Sequence, residues 1–197
     1  MVTKTTDLHP DVVAIVGSAG GIRAMEEVLE QLPADLAAAV IVVIHLPPQH
    51  PSVLADILAR KTGLAVKQAS QGNALEAGTV YVAPPDAHLL VTEAGTLMLE
   101  RSELVHHVRP SADALLFSIA KEYDGRCLAV VLSGTGIDGA AGAAAVKQAG
   151  GTVLAQNEAT SEHFGMPGAA ILTGAVDQVL PLRDIGAAVI DFVSVPA

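Results

Sequence analysis

A chain of 197 residues that is 51% hydrophobic and only 16% charged can bury a large core, which excludes disorder, and its 18 glycines and 3% aromatic content favour helices packed closely on a sheet. A formal net charge of −10 leaves no basic patch for a nucleic-acid backbone or an anionic membrane surface. The single cysteine, Cys127, fits a reducing compartment. The leading MVTKTTDLHP lacks the apolar centre of a signal peptide, and the longest apolar run, 36–44, is too short to span a bilayer, so a cytoplasmic protein without membrane insertion is expected.

Apolar runs of strand length alternate with segments of helical period. VVAIV (12–16) reads as a strand, and Ile22, Met25, Leu29 and Leu32 behind it share one helical face. AVIVVI (39–44) reads as a strand buried on both faces, because nothing polar alternates in it. Pro51 is placed to open a helix over SVLADILARK, and LAVKQA (64–69) is a weaker strand. GTVYVAP (78–84) and the pair HLLVTE and LMLE, joined by a glycine turn at 94–96, are read together as a local antiparallel excursion. Ser111 is a plausible N-cap for ADALLFSIAKEY. CLAVVLS (127–133) is a strong strand, in which Cys127 reads as an inert buried thiol. An alanine-rich helix to about Gln148, a strand GTVLAQ, a short strand DQVLP and a helix IGAAVIDFV complete the order. The expectation is an α/β fold: a doubly wound, mainly parallel sheet with helices on both faces and an antiparallel hairpin, as one domain over 12–194 after an extension over 1–11.

Open parallel sheets bind ligands at the carboxyl ends of their strands. There the first strand delivers Ser18, the second His45, and the strand CLAVVLS, through GTGIDG, Asp138. Each has a plain reading alone: Ser18 or Asp138 as a helix cap, His45 as a satisfied strand-end residue. Together they are the set of nucleophile, general base and orienting carboxylate. Gly17 would let the chain turn at Ser18, and Gly20 and Gly21 would keep bulk away from a substrate. The glycines at 17, 20 and 21 lack the dinucleotide spacing, the second strand ends in His45 rather than an acid, and no lysine followed by Ser or Thr forms a Walker loop. The turn also departs from the G-x-S-x-G elbow, since Val16 stands at its first position.

In these segments the sequence resembles the catalytic domain of chemotaxis protein-glutamate methylesterases. IVGSAGG is similar to the family's serine loop, VVIHLPPQH to its histidine segment and LSGTGIDGAAG to its aspartate loop, with GTVYVAPPDAHLLV, RPSADALLFSIA and FGMPGAA in order between and after them. The resemblance implies hydrolysis of glutamyl methyl esters on chemoreceptor cytoplasmic helices with release of methanol, often with deamidation of receptor glutamines. It also implies Ser18 as nucleophile, His45 as general base, Asp138 as its partner, and no metal or organic cofactor. Ala19 stands where threonine is frequent, and Thr135 and Ile137 replace the methionine and asparagine of the common TGMGNDG loop. Members often carry an N-terminal receiver domain, whereas only MVTKTTDLHP precedes the first strand here. The chain is therefore expected to act alone, within a larger protein, or under a separate receiver domain or regulator. The alternatives are a non-catalytic receptor-binding or scaffolding relative, which an intact Ser18, His45 and Asp138 argue against, and a hydrolase of another carboxylic ester.

By position, amides near Ala19 and in the Thr135–Gly136 loop are candidate oxyanion donors. His50, His106 and His107 lack convincing zinc spacing. Asp86 and His88, where the hairpin begins, read as surface-turn residues, with the rim of the site as the alternative, and Met166-Pro167 as structural, starting a helix at the proline, with packing beside the aspartate loop as the alternative.

Overall fold

In the computed structural model, which describes residues 10–45 and 52–194, the first apolar run forms strand β1, Asp11–Gly17. Its unbroken hydrophobicity has a simple cause: alternate side chains enter two separate cores. Val12, Ala14 and Val16 join one apolar cluster, and Val13 and Ile15 the other. Strand β2, Ala38–Ile44, is buried at every position for the same reason. Helix α1, Gly21–Glu30, connects them and buries Ala24, Met25, Val28 and Leu29, while Ile22 of the expected face is only half-buried.

The main sheet also contains β3 (Ala65–Gln68), β4 (Thr79–Val82), β7 (Cys127–Val131), β8 (Thr152–Gln156) and β9 (Gln178–Leu180). Its order is β3-β4-β2-β1-β7-β8-β9, and every pairing is parallel. Helices α1, α2 (Leu54–Ala59) and α6 (Leu182–Ser194) pack on one face. Helices α3 (Ala112–Glu122), α4 (Ala140–Gln148) and α5 (Gly165–Leu172) cover the other, together with a separate antiparallel hairpin of β5 (His88–Val91) and β6 (Leu97–Glu100). This is the expected doubly wound arrangement, with the order reversing between β1 and β7.

Two expectations change. GTVYVAP is not part of the antiparallel excursion: β4 is an interior parallel strand between β3 and β2, buried at all positions. A four-residue strand does not encode its partner, and the covering of both faces decides here. The helix after Pro51 begins at Leu54, with the Ser52 hydroxyl accepting the Leu54 amide at 3.1 Å; Pro51 itself lies outside the described residues. The structural reading of Met166-Pro167 holds: FGMPGAA forms α5, with Pro167 in its first turn, where a missing N–H removes no helical bond.

Candidate active site

The strand register brings Ser18 and His45 together. Strands β1 and β2 pair from Asp11 opposite Ala38 to Gly17 opposite Ile44, so the residues that follow each end, Ser18 and His45, leave the sheet side by side. On the other flank of β1, Val16 lies opposite Val131 of β7, and the loop after β7 returns Asp138 to the same edge. Ser18 Oγ lies 3.0 Å from His45 Nδ1, and His45 Nε2 lies 2.8 Å from Asp138 Oδ2. An ionised carboxylate only accepts, so Nε2 carries hydrogen, Nδ1 of the neutral ring presents its lone pair, and the Ser18 hydroxyl donates to it. All three sequence-predicted residues are thus in one hydrogen-bonded series.

Neither residue caps the helix that follows it. Helix α1 is preceded by Gly20 at φ +75° and takes no side-chain cap, while the Ser18 hydroxyl is committed to His45. Asp138 does not cap α4, whose N-cap is Gly139. It caps α3 instead: Oδ1 accepts from the Ser111 hydroxyl at 2.7 Å and the Asp113 amide at 3.0 Å, and Oδ2 from the Ala112 amide at 2.6 Å. Asp113 answers across the helix pair, its Oδ1 accepting the Gly142 amide of α4 at 2.7 Å. Asp138, in the loop that leads into α4, thus satisfies orphan amides of α3, and Asp113 of α3 satisfies one of α4. Burial by itself pushes the Asp138 carboxyl up, but the bonds from His45, the Asp113 amide, the Ser111 hydroxyl and the Ala112 amide together hold it below the ordinary aspartate value.

The glycines of the turn make room for protein rather than for a substrate. A Cβ on Gly17 would stand 3.2 Å from the Ser133 carbonyl oxygen, and one on Gly20 2.7 Å from Ser133 Oγ. Ser133, buried at the end of β7, fixes the turn: its carbonyl accepts the Ser18 amide at 3.0 Å and its hydroxyl donates to the Ala19 carbonyl at 2.9 Å. Its own amide donates to the buried Gln156 side chain at 2.8 Å. The Ser18 amide is therefore engaged, as is that of Gly134, which donates to the His163 carbonyl at 2.9 Å. Met166 is fully buried beneath this loop, since a Cβ on Gly134 would come within 2.3 Å of its sulfur.

His106, Asp113 and Asp138 bring one ligand-type atom each within 4.8 Å of one another. Their oxygens already accept protein donors, however: Asp113 Oδ2 holds His106 Nε2 at 2.9 Å, and the Asp138 oxygens hold the groups named above. His50 lies outside the described residues. Cys127 is fully buried and its thiol is pushed up to about 12 by burial, which keeps it protonated and inert. Asp86, at φ +59°, is ion-paired with Arg109. His88 is not a surface residue: it is 1% exposed, with its ring bonded on both sides.

Comparison with known proteins identifies the family. A family profile described as CheB methylesterase matches residues 13–189. The chain belongs to the CheB methylesterase family. It is 44% identical over 182 residues to "Protein-glutamate methylesterase/protein-glutamine glutaminase 1" of Myxococcus xanthus, covering 91% of this chain and 53% of that protein. The corresponding protein of Pyrococcus horikoshii is 39% identical over 202 residues, covering 98% of this chain and 55% of its own length. The chain thus spans about half the length of these curated relatives. The crystal structure of the Thermotoga maritima CheB methylesterase catalytic domain superimposes with a TM-score of 0.90 at 37% identity, covering 93% of this chain and 99% of that one. Among the described residues of this CheB family member, no helix is long and apolar enough to cross a membrane.

Sequence reasoning missed Ser133 and Gln156, placed His88 on the surface, and saw in Ser111 only an N-cap. Ser111 is that cap, accepting the Ala114 amide at 3.3 Å, but its hydroxyl hydrogen goes to Asp138. One local signal existed: polar residues ending or beginning apolar strands, as in CLAVVLS and HLLV, must find partners once buried.

Proposed function

We propose that this chain is a serine esterase of chemotaxis adaptation, a protein-glutamate methylesterase that hydrolyses glutamyl methyl esters on the cytoplasmic helices of chemoreceptors. Ser18 is the nucleophile, His45 the general base and Asp138 its orienting carboxylate, within one catalytic unit over 12–194. What supports this is the continuous series from Ser18 Oγ to His45 Nδ1 at 3.0 Å and from His45 Nε2 to Asp138 at 2.8 Å, in a chain of this family.

Ser18 Oγ attacks the ester carbonyl as His45 Nδ1 takes its proton. Asp138 holds the Nε2–H and stabilises the imidazolium. The developing oxyanion falls to the amides of Ala19 and of the Thr135–Gly136 loop, because those of Ser18 and Gly134 are engaged. The Nδ1 proton then passes to the departing methoxide, giving methanol and a glutamyl ester of Ser18. Water, deprotonated by Nδ1, cleaves that ester to the receptor glutamate and restores Ser18. A glutamine side chain follows the same route with ammonia leaving, so receptor deamidation belongs to the proposal.

The test is release of labelled methanol from a methylated chemoreceptor by the wild type and by Ser18→Ala. The wild type releases it, and Ser18→Ala, with its fold intact by circular dichroism, falls by about 10⁴-fold or more. A Ser18→Ala variant that keeps most of the rate refutes the nucleophile. A wild type that neither releases methanol nor takes up a serine-reactive phosphonate at Ser18 is a non-catalytic relative.

A further inference from the structure

Apart from His45, every donor to Asp138 among the described residues comes from three consecutive ones, Ser111, Ala112 and Asp113. The aim of the carboxylate is therefore set by wherever the start of α3 is held. That start is held through the Ser111 amide, which donates to His88 Nδ1 at 3.2 Å. His88 is 1% exposed, at the first position of β5, and its other nitrogen, Nε2, lies 3.0 Å from the Glu103 carbonyl oxygen. A carbonyl only accepts, so Nε2 carries the hydrogen, and Nδ1 keeps the lone pair that the Ser111 amide requires. The ring is neutral, in one tautomer, with both nitrogens engaged by main-chain groups. It ties the hairpin and the segment at Glu103 to the residue that holds Asp138.

We propose that His88 is a positioning residue of the esterase site: through Ser111 it fixes the Asp138 carboxylate, and through that the ring of His45, while touching neither. The connection is continuous, from the Glu103 carbonyl through His88, Ser111, Asp138 and His45 to Ser18. It rests on the catalytic reading of Ser18, His45 and Asp138 given above. A histidine that merely filled space beside the hairpin would not need an acceptor at Nδ1. That difference separates the two roles.

Three measurements decide it. First, long-range proton–nitrogen spectra of the wild type at neutral pH show His88 as the neutral ring protonated at Nε2; a ring protonated at Nδ1, or at both nitrogens, overturns the proposal without any variant. Second, His88→Leu lowers kcat by roughly ten- to a hundredfold with KM unchanged, the loss expected when a catalytic group is displaced by a fraction of an ångström to an ångström. His88→Asn, whose side-chain oxygen can accept the Ser111 amide, recovers most of that loss. Third, the low-field proton resonance of His45 Nε2–H shifts or broadens in His88→Leu and returns in His88→Asn. A folded His88→Leu with unchanged kcat and an unmoved resonance overturns the proposal, as do Leu and Asn variants that are equally impaired. Failure of the esterase reading appears differently, as a wild type without turnover, and the two spectroscopic measurements still report on positioning in that case.

Discussion

Replacing Asp138 by asparagine should damage rate and stability together, and the size of each follows from the four donors that the described residues bring to it. His45 Nε2, the Ser111 hydroxyl and the amides of Ala112 and Asp113 approach it at 2.8, 2.7, 2.6 and 3.0 Å. Asparagine offers one acceptor oxygen and one NH₂ group. Placed at Oδ2, the NH₂ faces the Ala112 amide and the His45 ring, and the ring can accept it only by moving its hydrogen to Nδ1, where Ser18 needs a lone pair. Placed at Oδ1, it meets the Ser111 hydroxyl, which can rotate, and the Asp113 amide, which is left buried without an acceptor. Either way at least one charge-assisted bond goes and one buried donor is orphaned, together about 3–5 kcal/mol. The rate should fall by about 10⁴-fold, because the base is held in the wrong tautomer or without its counter-charge. Methanol release and urea unfolding of Asp138→Asn against wild type read both quantities. A rate within about tenfold of wild type would make Asp138 a helix cap with no part in catalysis. An unchanged unfolding free energy would refute the accounting of its donors.

Three further outcomes are expected. The Asp138 carboxyl is held below its ordinary 3.8, so just below that value the unfolded chain binds more protons than the native one. Its contribution to stability is complete above 3.8 and lost as pH falls through the native value, and the wild type's advantage over Asp138→Asn should shrink there; an advantage constant from about pH 7 to about pH 3 contradicts this. A Cβ on Gly165 would lie 2.9 Å from the Gly136 nitrogen and 3.0 Å from the Gly134 carbonyl oxygen, both main-chain atoms that cannot swing aside. Gly165→Ala should therefore cost about 1–3 kcal/mol in denaturant unfolding and lower kcat by displacing the loop assigned to the oxyanion. Unchanged kcat would remove that loop from the mechanism. Native Cys127, fully buried with its thiol at about 12, should resist a thiol reagent at neutral pH and react on unfolding, and rapid labelling of the folded protein would show the β7 core to be open.

The sequence by itself determined the layers and pointed to the three residues that the structure joins in one hydrogen-bonded series. Strands covered on both faces must be apolar throughout, so β1, β2 and β7 stand out as unbroken runs, and the polar residues just after the first two, with the aspartate in the glycine-rich loop after the third, are visible at the sheet edge where ligands bind. Ser18, His45 and Asp138 were legible for that reason. Tertiary structure alone decided how they are joined. Only the register of Gly17 opposite Ile44 sets Ser18 against His45, and only the ring's placement turns Nδ1 rather than Nε2 toward the serine. That Asp138 caps α3 and not the helix that follows it, and that β4 joins the parallel sheet, depend on partners distant in sequence. The same holds for His88, whose chain neighbours Ala87 and Leu89 give no hint that its two nitrogens meet Glu103 and Ser111. A hydrogen bond is made wherever space brings a donor to an acceptor, and that placement is settled by the packing of the two cores rather than by any local pattern.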